Sequence, residues 1–124
     1  MQANYHLDSV TGVWSQPGFQ SIDYSDGEET EQRLQHIIDT ASDISSLSLE
    51  LRQHCVDWPT TYHLSGLRAN LLRPFEITAK HDVLEIGAGC GALSRYLGEC
   101  GASVLALEGS LRREIGRASC RERV

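Results

Sequence analysis

The feature that most constrains this chain is a glycine-rich turn that joins an apolar run to a helix-forming segment. Residues 83–91 read VLEIGAGCG, so an apolar run carrying one acid leads into three glycines at alternate positions. A second apolar run, VLAL at 104–107, is followed directly by another acid. A strand, a turn, a helix and a second strand in this order predict a right-handed β-α-β unit of a parallel sheet. The expected elements are a strand at 82–86, a helix at about 91–100 that ends at Gly101, and a strand at 103–108.

Glycines in such a turn, with an acid after the next strand, favour a nucleotide-type cofactor. A backbone without Cβ atoms can approach a ligand closely, and an acid at a strand tip can hydrogen-bond the hydroxyls of a ribose. Gly87, Gly89 and Ala92 satisfy the dinucleotide pattern G-x-G-x-x-G/A. Glu108 lies near the spacing of about 20 residues that accompanies this pattern. An NAD(P)-dependent oxidoreductase is therefore one interpretation of the chain.

Three features favour S-adenosylmethionine over a dinucleotide. Glu85 lies two residues before the first glycine, where a buried carboxylate without a partner is costly but a cationic sulfonium or ammonium group gives it a purpose. The glycines run G-x-G-x-G, with no pyrophosphate-directed arrangement beyond the start of the helix. A long and mostly helical segment precedes the first strand, whereas dinucleotide domains often open with that strand.

Residues 83–91 resemble motif I of the class I S-adenosylmethionine-dependent methyltransferases, and Glu108 resembles that family's acid at the end of the second strand. The resemblance implies that the three glycines line the methionine part of the cofactor. It also implies that Glu85 holds the ammonium group, directly or through water, and that Glu108 binds the ribose hydroxyls. The candidate cofactor-binding residues are Glu85, Gly87, Ala88, Gly89, Cys90, Gly91, Glu108, Gly109 and Tyr62.

A second resemblance lies ahead of motif I. The segments WPTTYHLS at 58–65 and LLRP at 71–74 are similar to the corresponding region of bacterial methyltransferases that sit beside glycosyltransferases in surface-polysaccharide pathways. This implies a small-molecule or sugar acceptor and a fusion to, or association with, a glycosyltransferase. Tyr62 and His63 precede a predicted helix, so they border either the cofactor's carboxylate or the acceptor, or they serve only in packing.

The resemblance implies an α/β fold: the opening β-α-β of a Rossmann-like, doubly wound methyltransferase sheet, preceded by a mostly helical leader. We expect the leader at 1–75 and the start of the cofactor-binding domain at 76–113. Residues 115–124, IGRASCRERV, resemble one translated frame of a sequencing adapter, so 114–124 is expected to be a non-native tail.

The sheet of that family has seven strands, and the predicted elements supply its first two. We therefore expect the chain to be truncated and inactive as written, and no catalytic residue is assigned. Methyl transfer often needs no base, because alignment of the acceptor behind the sulfonium methyl supplies much of the acceleration. A third interpretation is that the leader is a protein-interaction module and the chain catalyses nothing.

The pattern of the leader predicts one strongly amphipathic helix. It follows Asp26, which can cap it together with Glu29 at the capping-box spacing. The apolar positions recur at i, i+3, i+4 and i+7, so they share one face; they are Leu34, Ile37, Ile38 and Ala41. Ahead of this helix a short hairpin is possible, and Trp14 is expected to anchor the core.

Two further helices are expected before the glycine-rich turn. Ser45 or Ser46 can cap the first of them, and Pro59 should end it because the residue before a proline avoids the helical region. The next helix is expected from Ser65 to Arg73. Its apolar stripe would consist of Leu64, Leu67, Leu71, Leu72 and Phe75. Trp58 is expected to be a second core anchor.

Composition argues against nucleic-acid-binding, metal-binding and membrane-spanning proteins. The formal net charge is −6, and acids outnumber bases heavily in the first 60 residues, so no clustered basic face for nucleic acid is evident. The four cysteines show no C-x-x-C spacing and the histidines show no ligand spacing, so a metal site is not expected. No apolar run approaches the ~20 residues of a membrane span. We expect a cytoplasmic protein without membrane partners.

Overall fold

The computed structural model describes residues 4–22 and 26–110. In chain order the elements are β1 (His6–Leu7), β2 (Trp14–Ser15), α1 (Glu28–Thr40), α2 (Leu49–Gln53), α3 (Trp58–Leu64), a 3-10 helix (Gly66–Leu71), β3 (Asp82–Ile86), α4 (Ala92–Glu99) and β4 (Ser103–Leu107). They form a small mixed α/β domain with short strands and helices. The predicted tail at 114–124 lies outside the described residues, as does the end of the predicted 76–113 segment.

Strands β3 and β4 form the parallel pair that the sequence predicts. They pair in register from Asp82 opposite Ser103 to Ile86 opposite Leu107. Helix α4 connects them and packs against β4 and the 3-10 helix. Gly101 follows α4 with φ 80°, a left-handed conformation that suits glycine at a helix end. A parallel pair with a helical connection is compatible with a doubly wound sheet.

The two faces of the β3–β4 pair differ in burial. Every second residue is partly buried along both strands. The opposite face exposes four large apolar side chains, which we call the exposed sheet face: Leu84, Ile86, Leu105 and Leu107. In complete parallel sheets both faces are covered, so this surface is unusual for such a strand pair.

The helices of the leader bury a compact apolar cluster, called the helical core here. It consists of Leu34, Ile37, Ile38, Ala41, Leu51 and Leu64. The predicted apolar face of α1 is thereby confirmed. Cys90, in the glycine-rich turn, packs against this cluster, so the core also supports the turn.

Helix α1 begins differently from the prediction. Its N-cap is Gly27, with φ 98°, and no side chain caps it, so the predicted capping box is wrong. Asp26 instead accepts a contact from the ring of His63, whose Nε2 lies 2.8 Å from Asp26 Oδ2. A tertiary partner for the carboxylate has displaced the local cap, and it ties the start of α1 to α3.

The second helix also has a different cap. Ser48 Oγ accepts from Leu51 N, so neither Ser45 nor Ser46 caps α2. Ser46 is used elsewhere, because its backbone N and its Oγ both donate to the carboxylate of Glu99 at 2.5 Å. This contact joins the leader to the end of α4.

Pro59 opens a helix rather than ending one. It lies in the first turn of α3, where a missing N–H costs nothing. Asp57 caps that helix through a capping box with Thr60. Trp58 is 72 % exposed, so its predicted role as a core anchor is wrong.

The helix expected from Ser65 to Arg73 is a shorter 3-10 helix. The first residue of this 3-10 helix, Gly66, packs closely against Ser46. A Cβ on Gly66 would lie 1.9 Å from the carbonyl oxygen of Ser46, so only glycine allows this approach. Of the predicted stripe Leu64 is buried, whereas Leu67, Leu71 and Phe75 are exposed. A 3-10 helix has three residues per turn, so an apolar stripe at α-helical spacing does not stay on one side.

The N-terminal segment contains the short hairpin considered from the sequence. Strands β1 and β2 pair antiparallel, and Asp8 Oδ1 accepts from the backbone of Val10 and Thr11 in the turn. The segment then reaches the end of β4, where Ile22 N donates to Gly109 O at 2.8 Å. Trp14 is 61 % exposed, so it is not the core anchor that we predicted.

Candidate functional site

The glycine loop, residues 87–91, takes its shape from three left-handed residues. Gly87, Gly89 and Gly91 have φ of 73°, 57° and 85°. A side chain makes this conformation unfavourable by roughly 1–2 kcal/mol, so all three positions favour glycine. At Gly87 and Gly89 an added Cβ would meet no described atom within 4 Å. These two glycines therefore present open backbone.

The loop is fastened to the tip of β4 by backbone hydrogen bonds. Gly87 N and Ala88 N both donate to Leu107 O, at 2.8 and 3.1 Å. Gly91 is the N-cap of α4, so the loop leads directly into that helix. The carboxyl ends of the two parallel strands and the start of α4 consequently meet at one place. This is where ligands bind in open α/β sheets.

Glu108 bridges the glycine loop and the residues that follow β4. Its Oε2 accepts from Gly89 N at 2.6 Å, and its Oε1 accepts from Ser110 N at 2.8 Å. Hydrogen bonds to an ionised carboxylate are shorter and stronger than neutral ones. The structure therefore brings the predicted ribose-binding acid directly onto the predicted loop.

Glu85, in β3, contacts the start of α4. Its Oε2 accepts from Ser94 Oγ at 2.5 Å, and Ser94 is the third residue of α4. A negative charge in the first turn of a helix is favoured by the helix dipole. The carboxylate thus adds negative charge where an anionic ligand would otherwise find a helix N-terminus.

A cleft of about 480 Å³ opens at the carboxyl ends of β3 and β4. Three predicted site residues line it: Gly87, Glu108 and Gly109. Its opposite wall comes from the N-terminal hairpin segment and contains Tyr5, Trp14, Gln16 and Phe19. A Cβ on Gly109 would lie 2.7 Å from Ile22 Cδ1, so glycine allows this segment to approach closely.

The other predicted residues lie outside the lining of this cleft. Ala88 is buried, and Cys90 packs against the helical core. Tyr62 stacks beneath the guanidinium of Arg68, with 4.0 Å from Cζ to the ring centroid, and lies 5.5 Å from the Trp58 ring. These contacts belong to the leader, and a ligand role for Tyr62 stays a prediction.

Sequence reasoning missed the hairpin wall. From the sequence we expect Trp14 in the core, and nothing local indicates that Trp14 and Phe19 line a cleft with the ends of β3 and β4. The available signal is composition, because several aromatic side chains occur in a segment with too few apolar neighbours to bury them. Their observed exposure, 61 % for Trp14 and 46 % for Phe19, agrees with that reasoning.

Among the groups outside the cleft whose pKa is shifted are Asp57 and Cys55. The side chain and the backbone N–H of Thr60, followed by the Arg33 guanidinium, lower the pKa of Asp57 to about 2. Asp57 is therefore a charged cap of α3 at neutral pH. Burial raises the pKa of the Cys55 thiol, so this cysteine is a protonated packing residue at neutral pH.

No family model, curated protein or solved structure matches the chain. Over residues 4–22 and 26–110, no group of three or more His, Cys, Asp or Glu side chains is arranged to hold a metal ion. None of the helices in the same ranges has the length and apolar character needed to cross a membrane.

Proposed function

We propose that this chain carries the opening part of a class I S-adenosylmethionine-dependent methyltransferase domain. The observation that supports it best is the position of Glu108. Its carboxylate lies against Gly89 at the carboxyl ends of two adjacent parallel strands, beside open-faced glycines. An acid and an uncovered backbone at this edge suit a ribose and the chain attached to it.

The residues of the site fit such a cofactor. Gly87 and Gly89 leave room above the backbone, because a Cβ would meet no described atom there. Glu108 is within reach of a diol if the carboxylate exchanges its bond to Gly89 N for ribose hydroxyls. The cofactor, when bound, supplies an electrophilic methyl group on a cationic sulfur. The chain supplies two carboxylates, Glu108 against the glycine loop and Glu85 against the first turn of α4, and both complement positive charge.

The position of Glu85 argues against the dinucleotide alternative. A pyrophosphate binds at a helix N-terminus through free backbone N–H groups and the helix dipole. Glu85 already places a carboxylate against Ser94 in the first turn of α4. A second anion at that point would be repelled, whereas an ammonium or sulfonium group would be attracted.

The methyl acceptor is proposed to be a small molecule or a sugar, on the basis of the resemblance at 58–65 and 71–74. Association with a glycosyltransferase rests on the same resemblance. A cytoplasmic setting accords with free thiols at Cys55, Cys90 and Cys100.

The test is calorimetric titration of the full-length gene product with S-adenosylmethionine, S-adenosylhomocysteine and NADH. Removal of a hydrogen bond to a charged group costs about 1.5–3 kcal/mol, so Glu108→Ala should weaken S-adenosylmethionine binding roughly 10- to 100-fold. Glu76→Ala, an exposed acid ahead of β3, is the matched control and should leave the affinity unchanged. NADH binding without S-adenosylmethionine binding would overturn the proposal in favour of an oxidoreductase.

A further inference from the structure

We propose that the N-terminal hairpin segment forms an aromatic wall of the cleft that stacks on a nucleobase, with Trp14 as its principal contact. This inference rests on the proposed function, because the base is that of the adenosine whose ribose Glu108 would hold. It assigns a ligand role to residues that no sequence motif identifies.

The first argument is placement. Tyr5, Trp14 and Phe19 line the same cleft as Gly87 and Glu108. The segment is held there by the hydrogen bond from Ile22 N to Gly109 O, 2.8 Å long. A ligand held by the Glu108 carboxylate at the strand ends would therefore also contact the hairpin across the cleft.

The second argument is exposure. Tyr5, Trp14 and Phe19 are 49 %, 61 % and 46 % exposed, although aromatic rings are the side chains with most to gain from burial. Exposed apolar patches on a folded domain mark interaction sites. Three partly uncovered rings around one cleft thus point to a flat partner that completes their burial.

The third argument is the charge of the lining. Among the described residues that line the cleft no lysine, arginine or histidine occurs, and Glu108 is the one carboxylate. Such a lining does not complement a phosphate, but it suits a neutral ring with hydroxyl groups beside it. Aromatic side chains can stack on any nucleobase, because every base has a π-face. The Gln16 amide offers both a hydrogen-bond donor and an acceptor for the edge of the base.

The experiment uses the two tryptophans as matched reporters. Trp58 is 72 % exposed but lies against Tyr62 in α3 and does not line the cleft. In full-length protein carrying Trp58→Phe, the fluorescence of Trp14 is titrated with adenosine and with S-adenosylhomocysteine. The same titration of the Trp14→Phe variant reports on Trp58. We expect quenching in the first variant and none in the second.

Affinity is measured in parallel by calorimetry. Trp14→Ala should weaken binding of both ligands about tenfold, as expected for loss of one base–aromatic stack, and Trp58→Ala should leave it unchanged. If S-adenosylhomocysteine binds equally to wild type and Trp14→Ala, and Trp14 fluorescence does not change, the aromatic wall is refuted while the proposed function stands.

The same measurements can also support the aromatic wall while refuting the proposed function. Quenching of Trp14 by adenosine, without any binding of S-adenosylmethionine or S-adenosylhomocysteine, supports the aromatic wall and refutes the methyltransferase proposal. Absence of any response to all three compounds refutes both.

Discussion

The helical core and the β3–β4 pair differ in how far their apolar side chains are buried. Leu51 in α2 is fully buried and Leu64 in α3 is 3 % exposed, so the leader completes its own interior. In the strands, Leu84 and Leu105 remain 57 % and 65 % exposed. Burial of apolar side chains is therefore concentrated in the helical core, whereas the strand pair that carries the candidate site keeps apolar side chains exposed on one face.

The largest predicted effect comes from truncating one leucine in each region. Leu51→Ala should lower the free energy of unfolding by about 2–5 kcal/mol, because it removes a fully buried side chain and leaves a cavity. Leu105→Ala should cost under about 1 kcal/mol, since most of that side chain already contacts solvent. Urea denaturation followed by circular dichroism measures both. Equal losses would mean that the sheet face is covered in solution, and the comparison would fail.

A smaller effect is expected from adding a methyl group to one glycine of each region. Gly66→Ala places a Cβ against the backbone of Ser46 and should destabilise by about 1–3 kcal/mol. The Cβ of Gly89→Ala meets no described atom within 4 Å, so the left-handed backbone should account for a cost of about 1–2 kcal/mol. Thermal unfolding ranks the two variants. A larger loss at Gly89 would show that the loop is packed more tightly than the leader.

The pH dependence of the leader should reveal its charged cap. The folded pKa of Asp57 is lowered to about 2 from 3.8, so the stabilisation is fully present above about pH 4. It is lost as the pH falls towards 2, because the unfolded state takes up the proton first. Asp57→Asn should therefore differ from wild type in unfolding midpoint at pH 7 and converge with it near pH 2.

Thr60 supplies the control for that measurement. It is the largest cause of the lowered pKa of Asp57, ahead of Arg33. Thr60→Val should raise that pKa more than Arg33→Met does, as read from the carboxyl resonance in an NMR titration. If Arg33→Met raised the pKa more than Thr60→Val, the low pKa of Asp57 would be due mainly to the ion pair with Arg33 and not to the capping box with Thr60.

The smallest effect on stability, but a sharp one on association, is expected on the exposed sheet face. Leu105→Lys should change the free energy of unfolding by no more than about 0.5 kcal/mol, as surface substitutions usually do. It should reduce concentration-dependent association, because a charge interrupts an exposed apolar patch. Analytical ultracentrifugation measures this. The control is Lys80→Leu, which replaces an exposed charged residue ahead of β3 by an apolar one and should not reduce association.

Much of the local structure was predictable. The apolar runs that predicted strands at 82–86 and 103–108, the glycines between them and the apolar face of α1 are patterns of residues close together in the chain, and the structure contains each of them, with the second strand ending at Leu107. The place of Glu108 after the second strand also followed from the sequence, since the ends of adjacent parallel strands lie at one edge. Its hydrogen bond from Gly89 N was not predicted.

Other assignments failed because a distant partner outcompeted the local one. Asp26 contacts His63 instead of capping α1, and Ser46 binds Glu99 instead of capping α2. Arg95, which charge alone would place in solvent, is 6 % exposed and donates to Leu64 O at 3.3 Å. None of these choices is visible within a window of one helix.

The sequence by itself determined the periodic elements and the left-handed turn at 87–91, since side-chain spacing and the absence of Cβ atoms act on neighbouring residues alone. Only the tertiary structure decided that the hairpin faces the strand ends, that Cys90 packs on the helical core and that, within the described ranges, one face of the β3–β4 pair is exposed. Those outcomes depend on contacts between segments far apart in the chain. Such contacts are selected by shape and by hydrogen-bond partners, which spacing along a sequence does not record.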